Sequence, residues 1–388
     1  MLAVIGLTIT TIAMPSNKPV QAQEGSYEST RAAMRGVFLT LSRAYRYSVD
    51  PDAFQNAKNH DEIHNALRAL VNNADGMEAH ISELDASFDY LKRSLARDAA
   101  EALTRFESGQ YVGARWMLNK VTENCVTCHS KLSSDLAPNL TEEFLSDTNI
   151  QSLDPLIRAE LAIATRQFDT ALDQYESIFA ASDMSPRTIW ITGALENYVR
   201  VSCGVRENPE RAIRTLSKFA ARSDTPTNVK NVMREWIRSL GNFDLSKSAG
   251  KELTTATDII AKARANARFP KDRSQQVEFF YAASLLHRYL QSNPEDKTGV
   301  ANALYLLGVA ESFISRSYWI SETDHLLEQA IRQAPDSEVA QEAYDFLEEY
   351  LLSGRAMTAR DVPVDVQKLL KELRTLMEGE SEENLGRG

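Results

Sequence analysis

Apolar residues recur at every third and fourth position along most of the chain, the spacing that gives a helix one continuous apolar stripe. It predicts a first helix over Ser29 to Tyr47, ending before Asp50-Pro51, and a second from about Asp52 to Asn72. A third begins near Ser82, runs through Leu91 and Leu95 to Phe106 and is closed by Gly109. A fourth starts near Gln110, carries Trp116, Leu118 and Val121, and ends before Asp135. Beyond a polar stretch at 136–153 the pattern resumes as a succession of helices punctuated by Pro186, Pro209, Pro226, Pro270, Pro294 and Pro335. The chain has only 16 glycines and 12 prolines in 388 residues, and Ala, Leu, Arg and Glu are abundant. That composition favours the same all-α class, and the length predicts more than one domain.

Self-similarity is present in the second half. Ala171/Tyr175, Ala212/Leu216 and Ala282/Leu286 share an Ala-x3-large-apolar spacing, and Leu286 to Pro294 repeats the spacing of Leu327 to Pro335. The clearest unit is Leu304 to Pro335, with Leu307, Ala310 and Ile314 on one helix and Leu327, Ala330 and Ile331 on the next. The region 154–378 resembles the tetratricopeptide family in a degenerate form, with longer intervals between matching positions than its repeat of about 34 residues. The resemblance implies stacked helix pairs with a concave face that docks a protein or peptide. A compact α-domain without a groove is the alternative. Phe279, Phe280, Tyr281, Tyr318 and Trp319 read as core. The polar, acidic tail at 379–388 reads as disordered.

At the N-terminus, Leu2 to Met14 is an apolar and uncharged run followed by Val20-Gln21-Ala22, a small-residue pattern expected of a secretory signal at 1–22 cleaved after Ala22. An uncleaved signal anchor is the alternative. No later segment has membrane-spanning length, so no membrane association is expected after cleavage. The formal charge of −11 argues against nucleic acid and anionic lipid as partners and leaves a basic redox protein open.

Three cysteines occur, and two of them lie in Cys125-Val126-Thr127-Cys128-His129. C-x-x-C-H is the sequence that carries covalently attached haem c: two thiols on one helical turn add to the two haem vinyl groups, and the following histidine reaches the iron. Cys125 and Cys128 are therefore the expected thioether positions and His129 the proximal ligand, for one haem per chain. A zinc site would need two more ligands, and the only other cysteine, Cys203, has no second C-x-x-C or H-x3-H beside it. A thioredoxin-type redox pair would need a βαβ context that the helical surroundings lack. Cys203 itself reads as a small buried hydrophobe.

The motif closes a run of four helices, and on that helix count and position the region 23–135 resembles the cytochrome c-prime family of four-helix bundles. The resemblance implies a distal haem face supplied by the first helix. Met34, Phe38 and Leu41 share one face of that helix, so Met34 is the candidate sixth iron ligand and Phe38 the residue that would leave the iron five-coordinate. His60, His64 and His80 are alternative ligands, although Asp61 and Glu62 mark the first two as a solvated face. The family has an aromatic and a basic residue after the motif; here only Lys131 is present, as a possible propionate contact. Relatives that dimerise make a homodimer possible.

The leading expectation is a periplasmic monohaem electron carrier whose redox partner docks on the haem edge or the repeat surface. The alternative is a sensor or scavenger of NO or CO with a five-coordinate iron. A peroxidase is disfavoured, because the first-helix face offers Met34, Phe38 and Leu41 rather than an acid–base pair.

Overall fold

The computed structural model describes residues 20–77, 86–131, 151–268, 272–314, 322–353 and 362–379. Residues 1–19 of the expected signal at 1–22, His80, Ser82, most of the 136–153 linker, Tyr318, Trp319 and the tail from 380 lie outside the described residues. Every regular element among those described is helical. In order they are α1 (Val20–Ser48), α2 (Pro51–Gln55), α3 (His60–Gly76), α4 (Ala86–Glu107), α5 (Tyr111–His129), α6 (Pro155–Ala164), α7 (Phe168–Ala180), α8 (Pro186–Thr192) and α9 (Ala194–Val199). A wide π turn at Arg200–Val205 continues α9. Then come α10 (Pro209–Ala221), α11 (Thr227–Leu240), α12 (Glu252–Asn266), α13 (Gln276–Ser292), α14 (Lys297–Ile314), α15 (Thr323–Gln333), α16 (Glu338–Ser353) and α17 (Val364–Met377).

The boundaries follow local chemistry. Prolines 51, 155, 186 and 209 each sit in the first turn of a helix, where their missing N–H would have had no partner. Asp50, Asp154, Ser185 and Asn208 cap those helices by accepting a backbone N–H. Gly109, with φ +72°, adopts the left-handed conformation that ends α4. The second helix expected from Asp52 to Asn72 is in fact broken. Asn56 leaves helical geometry at φ −71°, ψ 123°, and its side chain accepts the Lys58 N–H to start a short 3-10 turn before α3. The first helix begins at Val20, earlier than Ser29.

α1 packs on α3, α3 on α4 and α4 on α5, while α5 contacts α1 on one side and α6 on another. Val37, Leu41, Ile63, Leu67, Leu70, Ala99, Leu118 and Val121 are buried among these helices. From α12 to α17 each helix packs on its successor, and α15 also reaches α4. Leu307, Ala310 and Ile314 of α14 and Leu327, Ala330 and Ile331 of α15 are all buried, as are Ala171, Tyr175, Ala212, Leu216, Ala282 and Leu286. Gly308 allows the close approach of α14 and α15: a Cβ there would lie 2.8 Å from the Leu327 side chain. Phe279 and Phe280 are buried and Tyr281 is half-buried. No helix among the described residues is long and apolar enough to cross a membrane.

The cap of α6 gives a first prediction. Asp154 accepts the Leu156 N–H at 2.8 Å, so Asp154→Ala lowers stability by about 1 kcal/mol, read as a lower urea midpoint with an unchanged slope.

Candidate functional site around Cys125 and His129

The motif occupies the last turn of α5, with His129 the final helical residue and Ser130 its cap. Positions 125, 128 and 129 are spaced by three and four, so the two thiols and the imidazole share one side of the helix. The helix is held in place one residue earlier: Asn124 Nδ2 donates to the fully buried Asp98 of α4 at 2.8 Å. Sequence reasoning missed this bond, because an Asp in α4 and an Asn in α5 carry no mark of facing each other.

All three motif side chains are largely withdrawn from water. Burial pushes the Cys125 and Cys128 thiols up to about 12. The same burial, with the Arg166 guanidinium adding to it, holds the His129 imidazole down at about 4, although the carbonyls of Ala164 and Ile163 pull the other way. His129 is therefore neutral at pH 7, the form that ligates a metal. Its surface is only partly covered, but Nδ1 is buried with no hydrogen-bond partner. Two thiols one turn apart, an adjoining neutral imidazole and an unsatisfied ring nitrogen fit the donor set that a covalent haem requires. Among the described residues no group of three or more His, Cys, Asp or Glu side chains converges on a bare metal ion.

Two hydrogen bonds join the end of α1 to the first half of α5. Tyr45 donates to Asn119 Oδ1 at 2.6 Å and Arg115 Nε donates to the Ser48 carbonyl at 2.6 Å, so α1 and α5 run antiparallel. Continuing that register at about 1.5 Å per residue places Leu41 level with Thr122, Phe38 level with Cys125 and Met34 level with His129. Met34, Phe38 and Leu41 lie on the same side of α1 as Tyr45, which faces α5. Leu41 is buried; Met34 and Phe38 are half-buried.

Lys131 has other partners. Its ammonium lies 3.2 Å from Glu311 of α14 and 3.1 Å from Glu322, and the Glu322 carboxylate also accepts from Ser87 of α4. Burial alone would drive the Lys131 ammonium towards neutrality, but the two carboxylates outweigh it and hold its pKa above the ordinary value. Burial also raises Glu322, with Glu311 adding to it, whereas at Glu311 the cations Lys131 and Arg200 outweigh burial and lower it. A haem propionate at Lys131 would have to displace both acids.

His60 and His64 stack at 6.3 Å on α3, and His64 Nε2 lies 2.8 Å from Glu107, at a side of the molecule formed by α3 and α4 rather than by the motif. Cys203 is buried in the π turn and its thiol is pushed up to about 12 by burial, which leaves it unreactive. Gly204 of that turn packs close to the Ser130 carbonyl, so the turn abuts the end of α5.

The chain matches no protein-family model, no curated protein and no solved structure.

Proposed function

We propose that the chain is a periplasmic monohaem c-type cytochrome that carries electrons. One haem c is joined through thioethers to Cys125 and Cys128 and its iron is held by His129. The reading assigns α1, α3, α4 and α5 to a four-helix bundle, and the helices from α6 onward to a degenerate tetratricopeptide-like array that docks the redox partner. It is carried by one observation: C-x-x-C-H ends α5 with both thiols desolvated and the imidazole neutral, its Nδ1 buried and unsatisfied.

When bound, the haem supplies a one-electron iron couple whose potential depends on axial ligand, burial and nearby charge. The chain's own residues do the rest. Cys125 and Cys128 fix the group to the helix. The Asp98–Asn124 bond fixes the helix to α4, and partial burial around the motif limits its contact with water. Met34, level with His129 on α1, is the proposed distal ligand, and Phe38 and Leu41 complete that face.

The ferric optical spectrum tests the assignment of the sixth position. Met34 ligation predicts a low-spin spectrum with a sulfur-to-iron band that disappears in Met34→Ala, together with reversible redox cycling. A high-spin spectrum, unchanged in Met34→Ala, with CO binding in the ferrous state, would make the protein a gas binder instead.

A further inference from the structure

A cavity of about 390 Å³ lies between the end of α1, the first half of α5 and the start of α6, and none of Cys125, Cys128 and His129 lines it. Its volume falls at the small end of the range of ligand sites, about 300–1,000 Å³, which suits a molecule of amino-acid size. Tyr45, Val49, Trp116, Leu153 and Ile157 give it aromatic and aliphatic walls. The Tyr45 hydroxyl is taken up by Asn119 Oδ1 at 2.6 Å, so this residue offers the cavity its ring. Trp116 is 42 % exposed, and the cavity is therefore reachable from solvent.

Two opposite charges line the same space, Arg115 of α5 and Asp154 at the start of α6. Each is anchored by one side-chain hydrogen bond: Arg115 Nε donates to the Ser48 carbonyl at 2.6 Å, and Asp154 Oδ1 accepts the Leu156 N–H at 2.8 Å. The Nη groups of Arg115 and Oδ2 of Asp154 are left over, and among the described residues no ion pair joins these two side chains to each other or to a third. A ligand bearing only a carboxylate would set a like charge against Asp154, and one bearing only an amine would set a like charge against Arg115. A ligand with both charges on one carbon gives each side chain its counterpart. The guanidinium fork matches the carboxylate, Asp154 accepts from the ammonium, and the apolar walls cover a large side chain. We infer that the cavity binds a free aromatic α-amino acid as its zwitterion, with Arg115 on the carboxylate and Asp154 on the ammonium. Because α6 forms one wall, the bound amino acid ties α6 to α1 and α5.

Equilibrium dialysis of the full chain against L-phenylalanine tests this. One molecule is expected to bind per chain, saturably. N-acetyl-L-phenylalanine, which lacks the ammonium, and L-phenylalaninamide, which lacks the carboxylate, should each bind at least about tenfold more weakly, as for the loss of a charge-assisted bond. Arg115→Gln should lose the preference over the amide. Asp154→Asn, which can still cap α6, should lose the preference over the N-acetyl form while keeping that over the amide. No saturable binding of phenylalanine, equal binding of either blocked form, or undiminished preferences in both variants would overturn the inference. Equal binding of the N-acetyl form together with an unaltered Asp154→Asn would make this a plain carboxylate site and refute the zwitterion. Should Arg115→Gln fail to fold by circular dichroism, the wild-type preferences and Asp154→Asn decide the matter.

Discussion

Replacing Lys131 with methionine destabilises the chain by about 3–5 kcal/mol, the cost of leaving buried carboxylates without their counter-charge. Lys131 is 6 % exposed in its side chain, and Glu311 and Glu322 are 11 % and 2 % exposed. Neither acid can recover its hydration when the ammonium is removed. The loss is expected to depend on pH with a defined sign. Without Lys131 burial and Glu311 hold Glu322 well above its unfolded value, and Glu311 keeps only Arg200 against its own burial, so the folded variant binds protons more tightly than the unfolded chain. Its stability therefore falls as pH rises from about 4 to 8, and the gap from wild type narrows on acidification. Urea denaturation at pH 5 and pH 8 measures this. Adding Glu311→Gln and Glu322→Gln to the methionine variant should restore much of the loss, because no buried charge is then left alone. Equal midpoints for wild type and Lys131→Met at pH 8 would show that the ammonium does not hold these helices together.

Substituting His129 with glutamine separates attachment from ligation. The thiols of Cys125 and Cys128 remain, so the haem should still be joined covalently, but the iron loses its nitrogen ligand from α5. The expected outcome is a protein that retains haem after denaturing electrophoresis while its ferric spectrum changes and its midpoint potential shifts. A spectrum and potential identical to wild type would remove His129 from the iron. Backbone effects are expected to be small, because His129 is the last residue of α5 and its Nδ1 makes no hydrogen bond to the protein.

The sequence revealed what is local. Helical spacing marked the positions of α1, α4 and α5. The prolines at 186 and 209 marked helix starts because a proline in a first turn forfeits no hydrogen bond. The break at Asn56 was hidden, since a cap made by one side-chain oxygen interrupts the backbone with no proline or glycine between Asp52 and Ile63 to mark it. Cys125, Cys128 and His129 were legible because thioether attachment and ligation fall within one helical turn. Partners from distant segments were not. Glu311 lies 180 residues beyond Lys131 and Asn119 lies 74 beyond Tyr45, and neither residue type at those positions signals what it faces. Lys131 therefore read as a propionate contact from its place beside the motif.

The central claim is that this chain carries haem c on its fifth helix. Its most direct test is the intact mass, under denaturing conditions, of the protein exported in a host with c-type maturation machinery, alongside Cys125→Ser/Cys128→Ser. The account predicts a wild-type mass increased by one haem, with a pyridine haemochrome spectrum typical of two thioether links, and no increase in the double variant. A wild-type mass equal to that of the bare polypeptide, from a host that loads haem onto a control cytochrome, would contradict it.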